Sequence, residues 1–415
     1  MDLTPPSSIG LVGGGLAAFW AAQTLRAQGY DGRLLLVTDE PHAPYDRPPL
    51  SKEVLLGTRE SARTELLGPE LVAELDLELV LGDRVTDLDV DSGRLTLESG
   101  IRVPVDRVLL ATGGRARALR VPGADLPGVT VLRTREDAER LRTLLVAGGP
   151  VVVLGGGFIG LEVAAAARAL GCEVTVVEAA DRLLARAVPA TAGEQVARAH
   201  RASGIRVELG LGVATIAGDD RVREVVLTDG RRIAASCVVV GIGMTPADEL
   251  ARAAGLEVGD GVLTDAGQTT SNPHVLAAGD VACSPDPWHG GRVRVEQWQS
   301  AQVQGVAAAH TMLGLAPPAP PVAWFWSDQG EVRLQVAGVP ARGRDVVRRG
   351  GDGDSCTLHL DAGRVVGAVS LNRPRDLRGA MLLIESGAVV DPALFADESV
   401  DLRRTARATS PSGRR

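Results

Sequence analysis

Two stretches of the sequence repeat one another and limit the class of fold that the chain can form. Residues 9–29 (IGLVGGGLAAFWAAQTLRAQG) and 151–171 (VVVLGGGFIGLEVAAAARALG) align without a gap. Each reads as an apolar strand, a glycine-rich turn, an alanine-rich helix and a glycine stop. A second apolar strand follows each copy, at 33–38 and at 173–178. Strand, helix and strand in this order predict two βαβ units, and hence parallel sheets covered by helices.

The glycines of both turns are spaced as in a dinucleotide-binding turn. There, glycines let the backbone approach a pyrophosphate, which the N–H groups and the dipole of the helix N-terminus stabilise. The spacing alone is a weak sign, but here a strand precedes each turn and a helix follows it. Two nucleotide sites are therefore predicted. The matching positions are Gly13, Gly15 and Ala18 in the first copy, and Gly155, Gly157 and Gly160 in the second.

An acidic residue at the end of the second strand of such a unit binds the ribose hydroxyls of the nucleotide. In the first copy Asp39 and Glu40 are both suitably placed, and Asp39 is the first choice. In the second copy Glu178 closes the strand, and its charge would repel a 2′-phosphate. Two alanines follow Glu178, although Arg182 is nearby. The second site is therefore predicted to prefer NADH to NADPH.

The rest of the chain divides into further layers and one further domain. Residues 66–137 alternate strands and turns, as in 77–82, 87–100 and 106–114, which predicts antiparallel hairpins beside the parallel sheet. Residues 222–244 repeat that arrangement after the second copy. A proline linker, APPAPP, marks a domain boundary, and alternating strands with helical segments follow it. The length of 415 residues agrees with two or three domains.

Composition excludes several classes of function. The net charge of −8 argues against a nucleic-acid-binding protein, which would have a strongly basic domain. The cysteines at 172, 237, 283 and 356 form no close pair, which excludes a CxxC redox pair, a zinc knuckle and a disulfide framework. No metal site is predicted. Residues 1–8 do not resemble a signal peptide, and glycines interrupt the longest apolar stretch, so we expect a soluble cytoplasmic protein without a membrane segment.

Several longer strings resemble one known family. TDAGQTTSNPHVLAAGD ends in Asp280 after an apolar strand, and ATGG stands at 111–114, as in flavoproteins with two dinucleotide sites. PHAPYDRPPLSK (41–52), RVEQWQSAQVQG (294–305), FWSDQ (325–329) and LNRPRDL (371–377) are similar to the ferredoxin reductases of bacterial cytochrome P450 and ring-hydroxylating dioxygenase systems. The resemblance covers about residues 9–402. The ferredoxin reductases that the chain resembles are a group within the FAD-dependent pyridine nucleotide-disulphide oxidoreductases.

This resemblance implies an α/β fold with two Rossmann-like dinucleotide-binding domains and a C-terminal α+β domain. The FAD domain would comprise residues 1–113 and 245–318, and the NAD domain, 114–244, would be inserted into it. The C-terminal domain would comprise 319–402, followed by a disordered tail at 403–415. The implied enzyme is a flavoprotein that takes hydride from NADH onto FAD. It then passes single electrons to a [2Fe-2S] ferredoxin, which feeds a P450 or a dioxygenase.

The same resemblance implies roles for individual residues. Lys52 would lie beside the flavin ring, and Glu162 would pair with it and contact the nicotinamide carboxamide. A lysine at that position stabilises negative charge on a reduced flavin. The residues expected to bind FAD are Gly13, Gly15, Leu16, Ala17, Asp39, Arg47, Lys52, Val85, Ala111, Thr112, Gly113, Arg133, Gly279, Asp280, Glu296, Gln297 and Trp298. Those expected to bind NAD are Gly155, Gly157, Phe158, Ile159, Gly160, Glu162, Glu178, Gly241, Ile242 and Gly243.

Two further points concern the electron acceptor. Ferredoxins are usually acidic, so a local basic patch is expected, with Arg292 and Arg294 as its candidates. Disulfide reductases of this fold need two cysteines a few residues apart on the first FAD helix, which has none. The NADH peroxidases and oxidases of the family use one cysteine in the loop after the first βαβ unit, and residues 40–52 contain none. Electrons would therefore leave directly from the flavin. An NADH diaphorase or oxidase acting on small acceptors, and a flavoprotein like apoptosis-inducing factor, remain as alternatives.

Overall fold

The computed structural model describes residues 6–389 and 391–409, with side chains as far as residue 406. These residues form two compact units. The first draws on Met1–Asp46, Ala62–Arg115 and Met244–Pro320, and the second on Arg47–Ser61, Ala116–Gly243 and Pro321–Arg415. The division into an FAD domain, an inserted NAD domain and a C-terminal domain at the boundaries given above remains a prediction.

The first unit is built on a five-stranded parallel sheet. Its strands, in spatial order, are Val275–Ala277, Arg107–Leu110, Ser8–Val12, Arg33–Thr38 and Leu77–Leu81. The strands Leu77–Leu81 and Arg107–Leu110 were expected in the antiparallel layer, so that part of the prediction is wrong. A short helix, Pro69–Glu74, carries the chain back before Leu77, and this crossover makes the pairing parallel.

Alternate residues of these strands fill two apolar layers. Leu34 and Leu36 pack in a cluster with the helices Leu16–Ala27 and Trp298–Met312. Leu35 and Val37 pack in a cluster on the other side of the sheet. The antiparallel strands that cover this second side are Val85–Asp89, Arg94–Leu97 and Arg102–Pro104. The hairpin prediction is thus confirmed for residues 87–100.

The remaining elements of the first unit are short. A four-stranded sheet contains, in spatial order, Val258–Gly259, Gly261–Leu263, Ala282–Asp286 and Gly291–Arg294. The helix Glu249–Ala253 precedes it in the chain. The 3-10 helix Ser61–Thr64 and the strands Gly114–Ala116 and Met244–Pro246 lie where the chain leaves one unit for the other.

The second unit repeats this plan and adds a further sheet. Its parallel strands, in spatial order, are Arg206–Leu209, Glu173–Glu178, Pro150–Leu154, Cys237–Val240 and Val129–Thr130. The antiparallel layer consists of Val213–Gly218, Val222–Leu227 and Arg232–Ala234. The helices are Arg135–Val146, Phe158–Ala169 and Ala190–Ala202, and the segment 47–61 adds the 3-10 helix Pro48–Ser51 and the helix Glu53–Leu56.

The further sheet lies after the proline linker and is antiparallel. Its strands, in spatial order, are Trp324–Gln329, Val332–Gly338, Arg364–Leu371, Ser355–Asp361 and Asp345–Gly350. The 3-10 helix Pro340–Arg342 and the helices Pro374–Ser386, Pro392–Ala396 and Leu402–Thr409 accompany it. This mixture confirms the predicted α+β character.

The disordered tail was predicted to begin at residue 403, and this start is too early. Residues Leu402–Thr409 form a helix, and Leu402 and Ala406 on its inner face are buried. Gly379 makes room for this helix, since a Cβ there would lie 2.5 Å from that of Leu402. The buried guanidinium of Arg349 donates to the carbonyls of Phe395 and Val400 and so ties down the preceding segment. Residues 410–415 lie outside the described part of the chain.

The contact between the helices Leu16–Ala27 and Trp298–Met312 gives a test of the first unit. A Cβ at Gly305 would lie 2.4 Å from the carbonyl oxygen of Ala17, so Gly305→Ala should force the helices apart. We expect it to lower the free energy of unfolding by about 2 kcal/mol, the usual range for overpacking. Thermal or denaturant unfolding measures this. Gly291→Ala is the control, because no described atom lies within 4 Å of a Cβ there; equal stability of the two variants would contradict the prediction.

Candidate functional site

The first glycine turn is shaped by a neighbouring strand. Gly13 has a φ of +116°, and a Cβ on it would lie 2.3 Å from the carbonyl oxygen of Ala111. The Gly13 N–H donates to Val37 O at 2.8 Å, which fixes the turn at the carboxyl end of the sheet. Only glycine fits this position, because a side chain would be strained in φ and would collide with backbone.

The next glycine leaves the helix end open. Gly15 is the N-terminal cap of Leu16–Ala27, and no described side chain caps this helix. A Cβ on Gly15 would meet no described atom within 4 Å. The start of the helix therefore has neither a side-chain cap nor a described atom at the Gly15 Cβ position, which suits the binding of a pyrophosphate. Leu16 and Ala17, which are both predicted to contact FAD, are the first two residues of this helix.

The second glycine turn has the same geometry. Gly155 has a φ of +105°, and its Cβ would lie 2.3 Å from the carbonyl oxygen of Gly241. Gly157 caps Phe158–Ala169, and within the described chain no atom approaches its Cβ position within 4 Å. At Gly160 a Cβ would lie 2.3 Å from Gly155 O, so the helix packs closely on the turn. The structure therefore brings Gly155, Gly160 and Gly241 together.

Glu178 lies directly beside the second turn. Its carboxylate accepts the Gly156 N–H at 2.6 Å and the Ala180 N–H at 2.7 Å. Each oxygen keeps a further lone pair, so the carboxylate can also accept ribose hydroxyls. The Arg182 guanidinium is turned into its own loop and donates to Ala185 O at 2.6 Å and Val188 O at 2.9 Å. Its engagement there is consistent with a site for NADH without a 2′-phosphate.

The acid of the first unit is placed differently. By strand register, Val12 pairs with Val37 and Leu154 with Val177, so Thr38 occupies the position equivalent to Glu178. Asp39 follows this position; its side chain is 50% exposed and forms an ion pair with Arg84 at 3.2 Å. Glu40 accepts a hydrogen bond from Tyr45. Asp39 remains the predicted ribose ligand, although it lies one residue beyond the strand end.

Other residues predicted to bind FAD gather around the first turn. Gly279, at a φ of +81°, approaches Ala17 so closely that a Cβ would lie 3.2 Å from that of Ala17. Asp280 follows it at the end of the strand Val275–Ala277 and its turn. Gln297 caps the helix that Trp298 begins, and the Trp298 indole donates to Asp46 Oδ1 at 2.8 Å.

The strand-end segment after Leu110 joins the same region. The Thr112 hydroxyl donates to Ala247 O at 2.7 Å, and the Ala247 N–H donates to Gly113 O at 2.9 Å. Val85 packs in the same apolar cluster as Val12. These contacts hold Ala111, Thr112 and Gly113 beside the first glycine turn. Their direct contact with FAD stays a prediction.

The predicted pair of Lys52 and Glu162 is present in the second unit. Lys52 Nζ lies 3.1 Å from Glu162 Oε2, and the side chains are only 14% and 6% exposed. The Ser51 hydroxyl donates to the same oxygen, and the Ser327 hydroxyl donates to Oε1 at 2.6 Å. Lys52 also donates to Pro48 O at 3.2 Å. Sequence reasoning missed both serines, although Ser327 belongs to the FWSDQ string.

Electrostatics make this carboxylate unusual. Burial raises the pKa of Glu162 above its ordinary value, while the Lys52 ammonium and the hydroxyls of Ser327 and Ser51 oppose the rise. A buried carboxylate is stable only when it is paired and hydrogen-bonded, and here both oxygens have donors. Groups perturbed in this way are concentrated at functional sites.

The other predicted residues of the second unit have neighbours of their own. Arg47 donates to Arg133 O at 2.7 Å, so these two predicted FAD ligands are neighbours. Phe158 packs edge-on against Phe325, with ring centroids 5.0 Å apart. Ile159 is 46% exposed at the start of the helix, as a residue that contacts a nucleotide would be. Gly241, Ile242 and Gly243 directly follow the carboxyl end of the parallel strand Cys237–Val240.

The two arginines of the predicted basic patch both have partners within the protein. The Arg294 side chain is 8% exposed and pairs with Asp260 at 3.0 Å and Glu296 at 2.6 Å. These two ion pairs offset its charge, and its role in attracting an acidic partner stays a prediction. Arg292 is exposed, although its guanidinium donates to the carbonyls of Thr264 and Cys283. For Arg292 the docking role remains a prediction.

Within 6–389 and 391–409, no cluster of three or more His, Cys, Asp or Glu side chains could hold a metal ion. In the same ranges, no helix combines the length and the apolar character needed to cross a bilayer.

Comparison with known proteins agrees with this geometry. Residues 7–305 match the pyridine nucleotide-disulphide oxidoreductase family, and residues 324–406 match the reductase C-terminal family. The chlorobenzene dioxygenase ferredoxin reductase component of Cupriavidus sp. (strain PS12) is 41% identical, over 96% of this chain and 98% of its own. Rhodocoxin reductase of Rhodococcus erythropolis is 40% identical, over 95% and 93%.

A solved structure extends the likeness to the whole fold. The covalent putidaredoxin reductase–putidaredoxin complex contains a chain that matches with a TM-score of 0.94 and 34% identity, covering 98% of this chain and 99% of that one. The predicted resemblance and fold class are confirmed. The chain belongs to the pyridine nucleotide-disulphide oxidoreductase family, and within it to the ferredoxin reductases that carry the reductase C-terminal domain.

Proposed function

We propose that this chain is an NADH-dependent ferredoxin reductase that uses FAD. It would supply electrons to a [2Fe-2S] ferredoxin of a cytochrome P450 or dioxygenase system. The observation that carries the proposal is the pair of open glycine cradles at Gly13–Gly15 and Gly155–Gly157. An enzyme that moves electrons between two nucleotides needs a binding site for each of them. Relatives named as ferredoxin reductase components support the choice of acceptor.

Each glycine cradle, together with the residues beside it, is assigned to one of the two nucleotides. The cradle at Gly13, with Ala17 and Gly279 beside it, is assigned to FAD, and the cradle at Gly155, with Glu178 beside it, to NADH. FAD supplies the ability to accept a hydride and to release electrons one at a time. The protein binds both nucleotides, orients them and controls the charge near the reacting atoms.

Lys52 and Glu162 are assigned the role of stabilising charge that develops near the reacting atoms. A buried ammonium stabilises negative charge that develops beside it, because little water is present to screen the interaction. Glu162 holds Lys52 at 3.1 Å and is itself restrained by hydroxyl donors on both oxygens. The assignment of both residues to the flavin and nicotinamide rings follows the family resemblance.

The cysteines support direct electron release from the flavin. All four are buried and free. Burial raises the pKa of every one of them, to about 12 for Cys237 and Cys356. A thiol that remains protonated is a poor nucleophile, so disulfide or peroxide chemistry at these residues is disfavoured. A one-electron acceptor such as a ferredoxin fits this arrangement.

We further infer that the enzyme works in the cytoplasm, where NADH is available. Cell fractionation tests this, and recovery of the NADH-dependent activity outside the cytoplasmic fraction would contradict it.

The central experiment follows the flavin spectrum under anaerobic conditions. NADH should bleach the yellow holoenzyme, and NADPH should do so at least about tenfold more slowly, because Glu178 repels the 2′-phosphate. In stopped-flow mixing, a [2Fe-2S] ferredoxin should then reoxidise the reduced flavin faster than air does. Reoxidation no faster with ferredoxin than with air would favour the diaphorase or oxidase alternative.

The ribose assignment is tested by Glu178→Ala. Loss of this acceptor should lower kcat/KM for NADH by about tenfold and narrow the ratio of NADH to NADPH use, as expected for a lost hydrogen bond to a hydroxyl pair. Steady-state kinetics with both nucleotides measure the ratio. Glu194→Ala, an exposed glutamate on Ala190–Ala202, is the control. An unchanged ratio in Glu178→Ala would mean that another residue reads the ribose.

The charge pair is tested by Glu162→Gln. Because this change removes the charge and keeps the shape, we expect NADH to reduce the flavin about 10²-fold more slowly. In the native enzyme the rate should fall as the pH drops through the raised pKa of Glu162, since protonation breaks the pair with Lys52. The variant should lack this decline. Stopped-flow rates across pH measure both effects, and an identical acid limb in the two proteins would exclude Glu162 as its source.

A further inference from the structure

A continuous line of buried polar side chains runs away from Glu162. Ser327 donates to Glu162 Oε1 at 2.6 Å, and Gln329 Nε2 donates to Ser327 Oγ at 3.0 Å. Gln329 Oε1 lies 2.9 Å from His200 Nε2. All four side chains are buried. We call Ser327, Gln329 and His200 the Glu162 support line.

Strand periodicity brings this line together. In Trp324–Gln329, alternate side chains point to the same face, so Phe325, Ser327 and Gln329 share one face. Phe325 contacts Phe158 on the helix that carries Glu162, and Gln329 contacts His200 on the helix Ala190–Ala202. The first strand of the C-terminal sheet therefore lies along both helices and inserts Ser327 at the carboxylate.

The count of donors fixes the direction of every hydrogen bond in the line. An ionised carboxylate beside an ammonium only accepts, so the single Ser327 hydroxyl proton is donated to Glu162. Ser327 Oγ must then accept from the Gln329 amide nitrogen, which leaves the Gln329 oxygen facing His200. His200 Nε2 must consequently carry a proton.

Burial decides the charge of His200, the last residue of the Glu162 support line. It lowers the pKa of His200, against the smaller opposing effect of the Gln329 hydrogen bond. His200 is therefore neutral, and its proton lies on Nε2. The line thus ends in a neutral donor and leaves Lys52 as the cation paired with Glu162.

The Oε1 oxygen of Glu162 depends on this line. Lys52 and Ser51 serve Oε2, and among the described residues only Ser327 donates to Oε1. Without it, one oxygen of a buried carboxylate would lack a donor, which favours protonation and rotation of the group. We propose that Ser327, Gln329 and His200 are positioning residues that hold the Glu162 carboxylate in one orientation against Lys52 for hydride transfer from NADH.

This inference rests on the proposed function for the role of Glu162. It adds that the C-terminal sheet contributes to the NADH half-reaction through Ser327. None of the three residues needs to touch either nucleotide, because they act through Glu162.

The kinetic test compares Ser327→Ala with Ser327→Thr in the FAD-loaded full chain. Loss of the hydroxyl should slow flavin reduction by NADH about tenfold, the effect of one hydrogen bond to a charged group, and change the Kd for NAD⁺ little. Ser327→Thr keeps the hydroxyl and should restore most of the rate. Ser370→Ala removes another buried hydroxyl of the same sheet and should leave the rate unchanged. Equal rates in Ser327→Ala and the native enzyme would overturn the proposal.

A second measurement is independent of turnover. In protein labelled with ¹⁵N-histidine, the imidazole shifts of His200, assigned by their loss in His200→Gln, should report a neutral ring protonated at Nε2. A proton on Nδ1 alone would overturn the inferred direction of the line, and a charged ring at neutral pH would overturn its neutral end. The NMR result also decides the case if Ser327→Ala does not fold.

The two failures can be told apart. If NADH does not reduce the native flavin, the proposed function fails. The His200 tautomer then still tests the inferred direction of the hydrogen bonds in the support line. If NADH reduces the native enzyme and the Ser327→Ala enzyme equally fast, the function stands and the positioning role fails.

Discussion

The tight approach of one strand end to a glycine turn is the constraint on which the nucleotide sites depend. At Gly13 and at Gly155 a carbonyl of the neighbouring strand occupies the space that a Cβ would need. The turn can therefore be this compact only with glycine, and the helix that follows starts directly above the sheet. Its N-terminus then lies at the carboxyl edge of the sheet, where parallel sheets bind ligands.

The buried pair of Lys52 and Glu162 makes a second demand on the structure. A carboxylate removed from water must have donors on both oxygens, or it will be protonated. The segment 47–61 supplies Ser51 and Lys52 for one oxygen, and the C-terminal sheet supplies Ser327 for the other. Three separate parts of the chain, counting the helix that carries Glu162, thus meet at one charged group within the second unit.

Much of this architecture could be predicted from local patterns. The repeat at 9–29 and 151–171 gave both parallel units, because glycine spacing and apolar runs depend on neighbouring residues only. The order of strands could not be read in the same way. Leu77–Leu81 looked like part of a hairpin, yet it joins the parallel sheet because the short helix before it returns the chain to the sheet edge. Residues 403–415 were expected to form a disordered tail, yet Ala406 is buried, and Leu402 packs at Gly379 in a contact that the sequence does not reveal.

The sequence by itself determined the two glycine cradles, the acidic residue Glu178 and the absence of paired cysteines, since each is a property of residues close together in the chain. Only the tertiary structure decided which charges are free and which are satisfied. Arg294 looked like an unpaired surface charge but forms ion pairs with Asp260 and Glu296. Ser327 and His200 looked unrelated to Glu162 but are joined to it by hydrogen bonds. Charge pairing and hydrogen bonding depend on distances of a few ångströms between residues far apart in sequence, and folding alone sets those distances.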